Sequence, residues 1–292
     1  MRLGAYIMQP CQGAEEYIQQ LLSKKYRAAY CPEYLKSTRQ QAEIKELRQG
    51  LQENDIILAE VGTWVNPLSP NKQERERAIA YIIERLALAD ELRARCCVNV
   101  IGSLSGEYWY APCAANFTDE FWDASVSTYQ RIIDEVKPKH TRMTFEIMPY
   151  SLLDDVEGYL HFLNALNRPN ETAVHLDVAN LIHDPRTLYA QHAIWKNAFD
   201  ALGPKIASVH MKDLHLDSKA LNTQLIEVMP GQGQLDLKYV FQKLYTLSDD
   251  LPVMLEHLPD EASYDAAMEY IALVASKAQS ERAGSTDKIS MG

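Results

Sequence analysis

Cysteine is scarce in the 292-residue chain, and the five present, Cys11, Cys31, Cys96, Cys97 and Cys113, are not spaced to pair. Their number is odd, no C-x-x-C occurs and two are adjacent, which argues against a disulfide framework or a zinc cage and fits a reducing compartment. No apolar run approaches the roughly 18 residues that a membrane span needs. The opening MRLGAYIMQP lacks a basic segment followed by a long apolar one, so no secretory leader is expected. Positive charge is short: 29 basic against 40 acidic side chains leave a net charge of -11. Such a surface repels phosphate backbones, so nucleic acid is not the expected partner. No G-x-G-x-x-G follows the first apolar run, which argues against dinucleotide binding. A soluble, cytoplasmic protein is expected.

What is present is a regular alternation. Short apolar, β-branched or aromatic runs lie at Arg2–Met8, Arg27–Cys31, Asp55–Val61, Cys96–Ile101, Arg142–Ile147, Thr172–Asp177, Ile206–Lys212 and Pro252–His257. Helical periodicity fills the intervals, at Ala14–Ser23, Thr38–Gln52, Lys72–Arg93, Asp119–Glu135, Asp154–Leu166, Arg186–Leu202, Leu237–Leu247 and Ser263–Ser276. In the first of these, Ile18, Leu21 and Leu22 share one face while Glu15, Glu16 and Lys24 lie largely elsewhere. Parallel strands need crossover helices. Eight uninterrupted units therefore predict an α/β fold closed as a (β/α)8 TIM barrel, a single domain over residues 1–278. Residues 279–292 are polar and aperiodic and read as an irregular tail. Gly102–Thr118, with Tyr108, Trp109 and Tyr110, is long for a βα loop and is a candidate lid.

The later strand ends carry the chemistry. Glu146 (MTFEIMPY), Asp177 (AVHLDVAN), His210 (ASVHMKD) and Glu256 (VMLEHL) each close a predicted strand, one βα unit apart. The C-terminal strand ends of a barrel converge on one mouth, so these four are expected to meet. Three carboxylates buried together repel one another unless a cation compensates them. One imidazole with three carboxylates is a hard, mostly oxygen donor set. It suits one divalent ion, Mn²⁺ or Mg²⁺ first, with Co²⁺, Zn²⁺ or Fe²⁺ also compatible.

With Asp177-x-x-Asn180, His210-x-Lys212-Asp213, Pro230–Asp236 (PGQGQLD), Glu256-His257, AEVGTWVN and CCVNVIGS, the chain resembles the xylose isomerase-like TIM-barrel superfamily. The likeness is to its sugar phosphate isomerase/epimerase branch, which includes tagatose epimerases, hydroxypyruvate isomerases and inosose dehydratases. The resemblance implies Glu146, Asp177, His210 and Glu256 as metal ligands, and Glu146 and Glu256 as an acid/base pair on a small sugar or keto-sugar. The implied reaction is isomerisation or epimerisation through an enediolate. One position departs: many epimerases of this group have a histidine where this chain has Asn180. An amide can hold a hydroxyl but cannot shuttle a proton. His183 could partly substitute; as a loop residue it reads rather as surface.

Further substrate-binding candidates are Glu60, Trp64, Asn66, Asn180, Lys212 and Asp213, with the alternative that Lys212 and Asp213 are a solvated pair ending their strand. Gly231 and Gly233 read as loop glycines, His175 as structural, and His257, Cys96 and Cys97 as packing. Three other functions share parts of this pattern. A lyase or dehydratase on a keto-inositol or keto-glycoside would share the first chemical step. An apurinic endonuclease would need more histidines on early strands, whereas all eight lie at or after His140. The third is a non-catalytic barrel. A homo-oligomer is compatible with the apolar rim.

Overall fold

The computed structural model describes residues 1–289, with side chains through Arg282. Eight strands carry the barrel: β1 (Arg2–Ala5), β2 (Ala28–Tyr30), β3 (Ile57–Gly62), β4 (Cys96–Asn99), β5 (Met143–Phe145), β6 (Val174–Asp177), β7 (Ile206–Met211) and, after a hairpin, β10 (Pro252–Leu255). The outer helices are α1 (Ala14–Ser23), α2 (Gln41–Glu53), α3 (Lys72–Leu92), α4 (Asp119–Val136), α5 (Val156–Leu166), α6 (Pro185–Tyr189), α7 (Gln191–Leu202), α8 (Leu237–Leu247) and α9 (Glu261–Ile289). The strands are parallel in the order β5-β4-β3-β2-β1-β10-β7-β6. Bridges Met143–Thr172 and Glu146–His175 bring the two ends of that sheet together. The expected (β/α)8 barrel is the fold, and no described helix is long and apolar enough to cross a membrane.

Local chemistry sets the helix boundaries. Asn71 Oδ1 accepts from the backbone N–H groups of Gln73 and Glu74 to start α3, and Asp155 accepts from Gly158 to start α5. Each satisfies donors that a first turn leaves unpaired. The single helix expected over Arg186–Leu202 is two. Asp184 and Thr187 form a capping box around Pro185, and the chain leaves helical geometry at Ala190 before α7 begins. The stretch from 279 expected to be an irregular tail continues α9 to Ile289. The remaining residues, 290–292, lie outside the described part. Ala267, Ile271, Val274, Ala275 and Ala278 bury one face of this helix, which anchors the segment leading into 279.

A hairpin missed by the periodicity follows β7: β8 (Asp213–Leu216) pairs antiparallel with β9 (Leu225–Val228). Its organiser is Asp213, which corrects the expectation of a substrate-binding rim residue. Asp213 is 1% exposed. Its carboxylate accepts from the backbone N–H groups of Leu214, Gly231, Gly233 and Leu235 at 2.9–3.1 Å. Gly231 takes a φ of +95°, and a Cβ on Gly233 would collide with the Asp213 carboxylate, so both glycines are demanded by this wrap.

The barrel's weakest seam, between β5 and β6, is held by a side chain. The Tyr159 hydroxyl donates to Phe145 O (2.6 Å) and accepts from the backbone N–H groups of Phe145 (3.1 Å) and His175 (3.3 Å). It thus stands in for a missing ladder rung, one residue from Glu146 and two from Asp177. Tyr159→Phe would orphan buried backbone groups at about 1–3 kcal/mol. Thermal unfolding should show a midpoint several degrees lower; an unchanged midpoint would mean the seam does not depend on this hydroxyl.

Candidate metal centre

Asp177 is the last residue of β6, His210 lies within β7, and Glu146 and Glu256 each follow their strand by one residue. The parallel register aligns Asp177 with His210 and His210 with Met254, so the four side chains reach the same end of the barrel. One donor atom from each of Glu146, Asp177, His210 and Glu256 lies within 4.8 Å of every other. His210 Nδ1 is 2.8 Å from Glu256 Oε1 and 3.9 Å from Glu146 Oε1. Asp177 uses Oδ1 to accept from the N–H groups of Ala179 (2.8 Å) and Asn180 (3.0 Å), which aims Oδ2 at the cluster.

Beneath the cluster, Glu60 determines which nitrogen of His210 faces it. Glu60 Oε2 lies 3.1 Å from His210 Nε2, and its other oxygen accepts the Ser208 hydroxyl. Holding the proton on Nε2 leaves Nδ1 as the donor atom, the arrangement by which an outer carboxylate prepares a histidine ligand. Glu60 is fully buried. It is among the residues lining the pocket, and both its oxygens are engaged by protein partners. His175 packs edge-on against the His210 ring, 4.1 Å between centroids. Burial, reinforced by the neighbouring His210, pushes its pKa down to about 4 and keeps it neutral.

Lys212 is no solvated strand end. It is 4% exposed, and its ammonium lies 2.6 Å from Glu256 Oε1, 2.7 Å from Asp177 Oδ2 and 3.5 Å from Glu146 Oε1. Burial alone would raise the carboxyl pKa values. Lys212 and His210 outweigh that for Glu146, which falls well below the usual range. For Glu256 it is chiefly His210 that does so, bringing it down to about 2. At Asp177 burial wins, and its pKa rises to about 6.

This donor set fits a divalent cation. Asp177 Oδ2, His210 Nδ1 and Glu256 Oε1 are buried and lack an aligned hydrogen bond, although Lys212 approaches the two oxygens as an ion pair. Lys212 offsets part of their charge, and three oxygens with one imidazole suit a hard or borderline ion.

Above the cluster opens a cavity of about 690 Å³, whose lining includes Trp64, Trp109, Tyr110, Tyr150, Asn180 and Lys212. Trp64 adopts a φ of +42°. Its indole occupies the space where a Cβ on Gly62 would go, and its ring lies 6.3 Å from that of His210. The lid candidate thus meets the pocket through Trp109 and Tyr110. Asn180 donates through Nδ2 to Glu146 Oε1 (2.9 Å) and Ile147 O (3.0 Å), positioning Glu146 at the pocket wall. Asn66 is elsewhere: its amide donates to Ser103 O (2.7 Å) and accepts from the N–H groups of Leu68 and Ser103. It ties two loops together and is absent from the pocket lining, which corrects its assignment to substrate. His183 is exposed, as a surface residue would be.

His257 is the residue the periodicity misplaced. Strand β10 ends at Leu255, and His257 takes a φ of +58°, so alternation no longer dictates its direction. It lines the cavity, with Nδ1 3.2 Å from Glu227 Oε2 of β9 and Nε2 3.6 Å from Glu256 Oε2. Glu227 carries no site signal in the sequence. The pattern of Leu225–Val228 is a sequence signal for its strand, but its place at this mouth follows from the hairpin.

The family model for the xylose isomerase-like TIM barrel matches residues 18–273. No curated protein matches the chain. Among solved structures, the D-psicose 3-epimerase of Clostridium cellulolyticum H10 is 17% identical, with a TM-score of 0.65 over 94% of this chain and 99% of that one. An L-ribulose 3-epimerase is 15% identical, with a TM-score of 0.68 over 96% of each chain. A xylose isomerase-like TIM-barrel protein from Mycobacterium smegmatis, in complex with magnesium, is 14% identical, with a TM-score of 0.66 over 95% and 97%. At these identities the likeness is one of fold.

Two outcomes follow from the geometry. Glu60→Gln should weaken divalent-ion affinity about 10–100-fold, as loss of an orienting partner does, measured by calorimetric titration of metal-free protein; unaltered affinity would remove Glu60 from the centre. Ion binding requires unprotonated ligands. Affinity should therefore fall as pH is lowered, because His210 holds a proton well above its ordinary pKa. Below about 6, where Asp177 also takes up a proton, the fall should steepen. A pH-independent affinity would contradict the assigned ligands.

Proposed function

The chain belongs to the xylose isomerase-like TIM-barrel family, and on that premise we propose that it is a divalent-metal-dependent isomerase or epimerase of a small sugar or keto-sugar. The observation that carries the proposal is the meeting of Glu146, Asp177, His210 and Glu256 at the floor of one aromatic-walled pocket. Two of the structural neighbours are named as epimerases of sugars and a third holds magnesium, which supports the reading.

In this mechanism Glu146, Asp177, His210 and Glu256 hold one divalent ion, Mn²⁺ in our reading. When bound, that ion supplies the Lewis acidity that stabilises negative charge on a substrate carbonyl and its neighbouring hydroxyl. Glu146 and Glu256 are the acid/base pair. Both stay ionised at neutral pH, held below the usual carboxylate range despite burial by the nearby Lys212 and His210 charges. One takes the proton α to the carbonyl, leaving an enediolate, and a proton returned at the other carbon or other face completes the isomerisation or epimerisation. Asn180 steadies Glu146 through its amide. Lys212, placed against both glutamates, offers an ammonium to a developing oxyanion. Trp64, Trp109 and Tyr110 wall the site against water, which strengthens each of these interactions.

Asn180 separates this site from epimerases with a histidine there and confines proton transfer to the two glutamates. An endonuclease reading fares worse. The early strand ends carry Glu60, Trp64 and Asn99, and Asn180 follows Asp177, so the additional imidazoles of a multi-zinc centre have no source there.

Solvent exchange tests the proposal directly. Metal-loaded protein incubated in D₂O with unphosphorylated ketoses should place deuterium at the carbon α to the carbonyl. Glu146→Gln or Glu256→Gln should lower that rate by about 10²–10⁴-fold, the usual contribution of general acid–base catalysis. Deuterium incorporation accompanied by loss of water from the product would identify a dehydratase instead. No exchange with any ketose or keto-inositol would sink the acid/base assignment.

A further inference from the structure

The buried stripe of α3 contains one arginine. Ile79, Ile82, Leu86 and Ala89 bury the face that packs inward, and Arg85 stands among them at 8% exposure. Its Nη1 donates to Leu35 O (2.8 Å), while Nε is buried with no partner. One carbonyl occupies one of the five N–H bonds that a guanidinium carries. We propose that Arg85 is the receptor of a small oxyanion, bound in the cleft between the loop after β2 and α3. The metal-centre reading does not require this site, and its test does not depend on turnover.

Among the described residues no carboxylate forms an ion pair with Arg85. Glu84, its neighbour on α3, accepts instead from the Ser37 hydroxyl (2.9 Å) and the Thr38 N–H (2.8 Å). Glu33 accepts from the Tyr6 hydroxyl (2.5 Å). Arg168 shows how this fold satisfies a structural arginine. Its Nε and Nη2 take the two oxygens of Asp134 at 2.6 Å each, and Nη1 donates to Asn167 O (2.9 Å). A buried guanidinium keeps its proton, and an ion left unpaired away from water is costly. An oxyanion supplies the missing partner, because the guanidinium fork matches two oxygens of a carboxylate, phosphate or sulfate.

Room for such an ion lies on the outer side of Arg85. A second cavity, of about 450 Å³, is lined by Cys31, Glu33, Leu35, Lys36, Tyr81 and Arg85. At about 30 Å³ per water, it accommodates an oxyanion with several waters of hydration. Lys36 brings a second positive charge and Tyr81 a hydroxyl, against the single carboxylate of Glu33. The cavity is therefore net positive in a chain whose net charge is -11. Cys31 registers the same field: burial raises its pKa, and the Arg85 charge beside it opposes the rise.

Arg85 and Cys31 also line the larger cavity above the metal centre, so the arginine stands at the border of the two spaces. The oxyanion it receives is accordingly either a free ion beside the main pocket or an anionic group carried by the pocket's own ligand. The recognition chemistry is the same in both cases, and competition separates them.

The test is calorimetric titration of Mn²⁺-loaded protein with sodium sulfate at low ionic strength. One sulfate per chain should bind, and Arg85→Gln should weaken it at least about tenfold. Arg85→Lys, which keeps the charge and loses the fork, should recover only part of the affinity. Lys36→Gln, at an exposed position where folding is not at stake, should weaken sulfate about two- to threefold. Sulfate also stabilises proteins generally by exclusion from their surface. The thermal midpoint should therefore rise more with sulfate in the wild-type protein than in Arg85→Gln. Absence of sulfate binding, or equal binding and equal midpoint shifts in wild type and Arg85→Gln, overturns the proposal. Sulfate affinity that is unchanged by saturating D-fructose identifies a free ion. D-fructose 6-phosphate that binds at least about tenfold tighter than fructose, is displaced by sulfate and loses its advantage in Arg85→Gln identifies a group on the ligand. Sulfate displaced by fructose itself would place the ion in the sugar's position and reject a separate site.

Discussion

Three carboxylates and an imidazole with donor atoms within 4.8 Å of one another inside a protein need a source of positive charge. Desolvation disfavours each ionised group and like charges disfavour the set. The structure meets this constraint at the mouth of the barrel with Lys212, which lies against Asp177, Glu146 and Glu256. His210 is held between Glu60 on one side and Glu256 on the other. Much of the surrounding architecture follows from keeping these charges in register. Asp177 is turned by two backbone N–H groups, Glu146 by Asn180 and His210 by Glu60.

The scaffold supporting that arrangement is least continuous where the site needs it most. Between β5 and β6 the ladder is reduced to isolated bridges, and Glu146 and Asp177 stand on either side of the gap. A buried tyrosine hydroxyl spans it. This is an economical way to let two strand ends diverge toward a ligand while their backbone groups stay paired. The hairpin after β7 plays a similar part on the opposite side. Asp213 gathers four backbone N–H groups, and the folded hairpin delivers Glu227 to His257 at the pocket mouth. Residues that read from the sequence as rim chemistry are thus partly structural, and part of the rim chemistry comes from an element of weak periodicity.

How much was legible depended on whether a residue's role is local or collective. The eight strand–helix units could be read because apolar periodicity is a local record of burial, and α1 and α8 fall where periodicity places them. The four proposed ligands could be read because a barrel brings equivalent strand ends together whatever their loops do. Asn66, Asp213 and Glu60 could not be placed by the same logic. A polar side chain near a strand end can face a substrate, a neighbouring loop or a ligand's far side, and only the surrounding donors and acceptors distinguish these. His257 escaped because one residue of left-handed backbone cancels the alternation rule.

Taken alone, the sequence determined the alternating units, the barrel class, the acidic, cysteine-poor character and the four residues gathered at the mouth. These follow from periodicity, composition and spacing, which are properties of the chain as written. Tertiary structure alone decided that Lys212 is buried among the carboxylates, that Glu60 meets the far nitrogen of His210, and that the aromatics of the Gly102–Thr118 loop and Glu227 share one cavity. Those facts depend on distances between residues as many as 150 positions apart. Hydrogen bonds and ion pairs are short-range and directional, so a one-dimensional pattern of polarity carries no record of which distant partner is met.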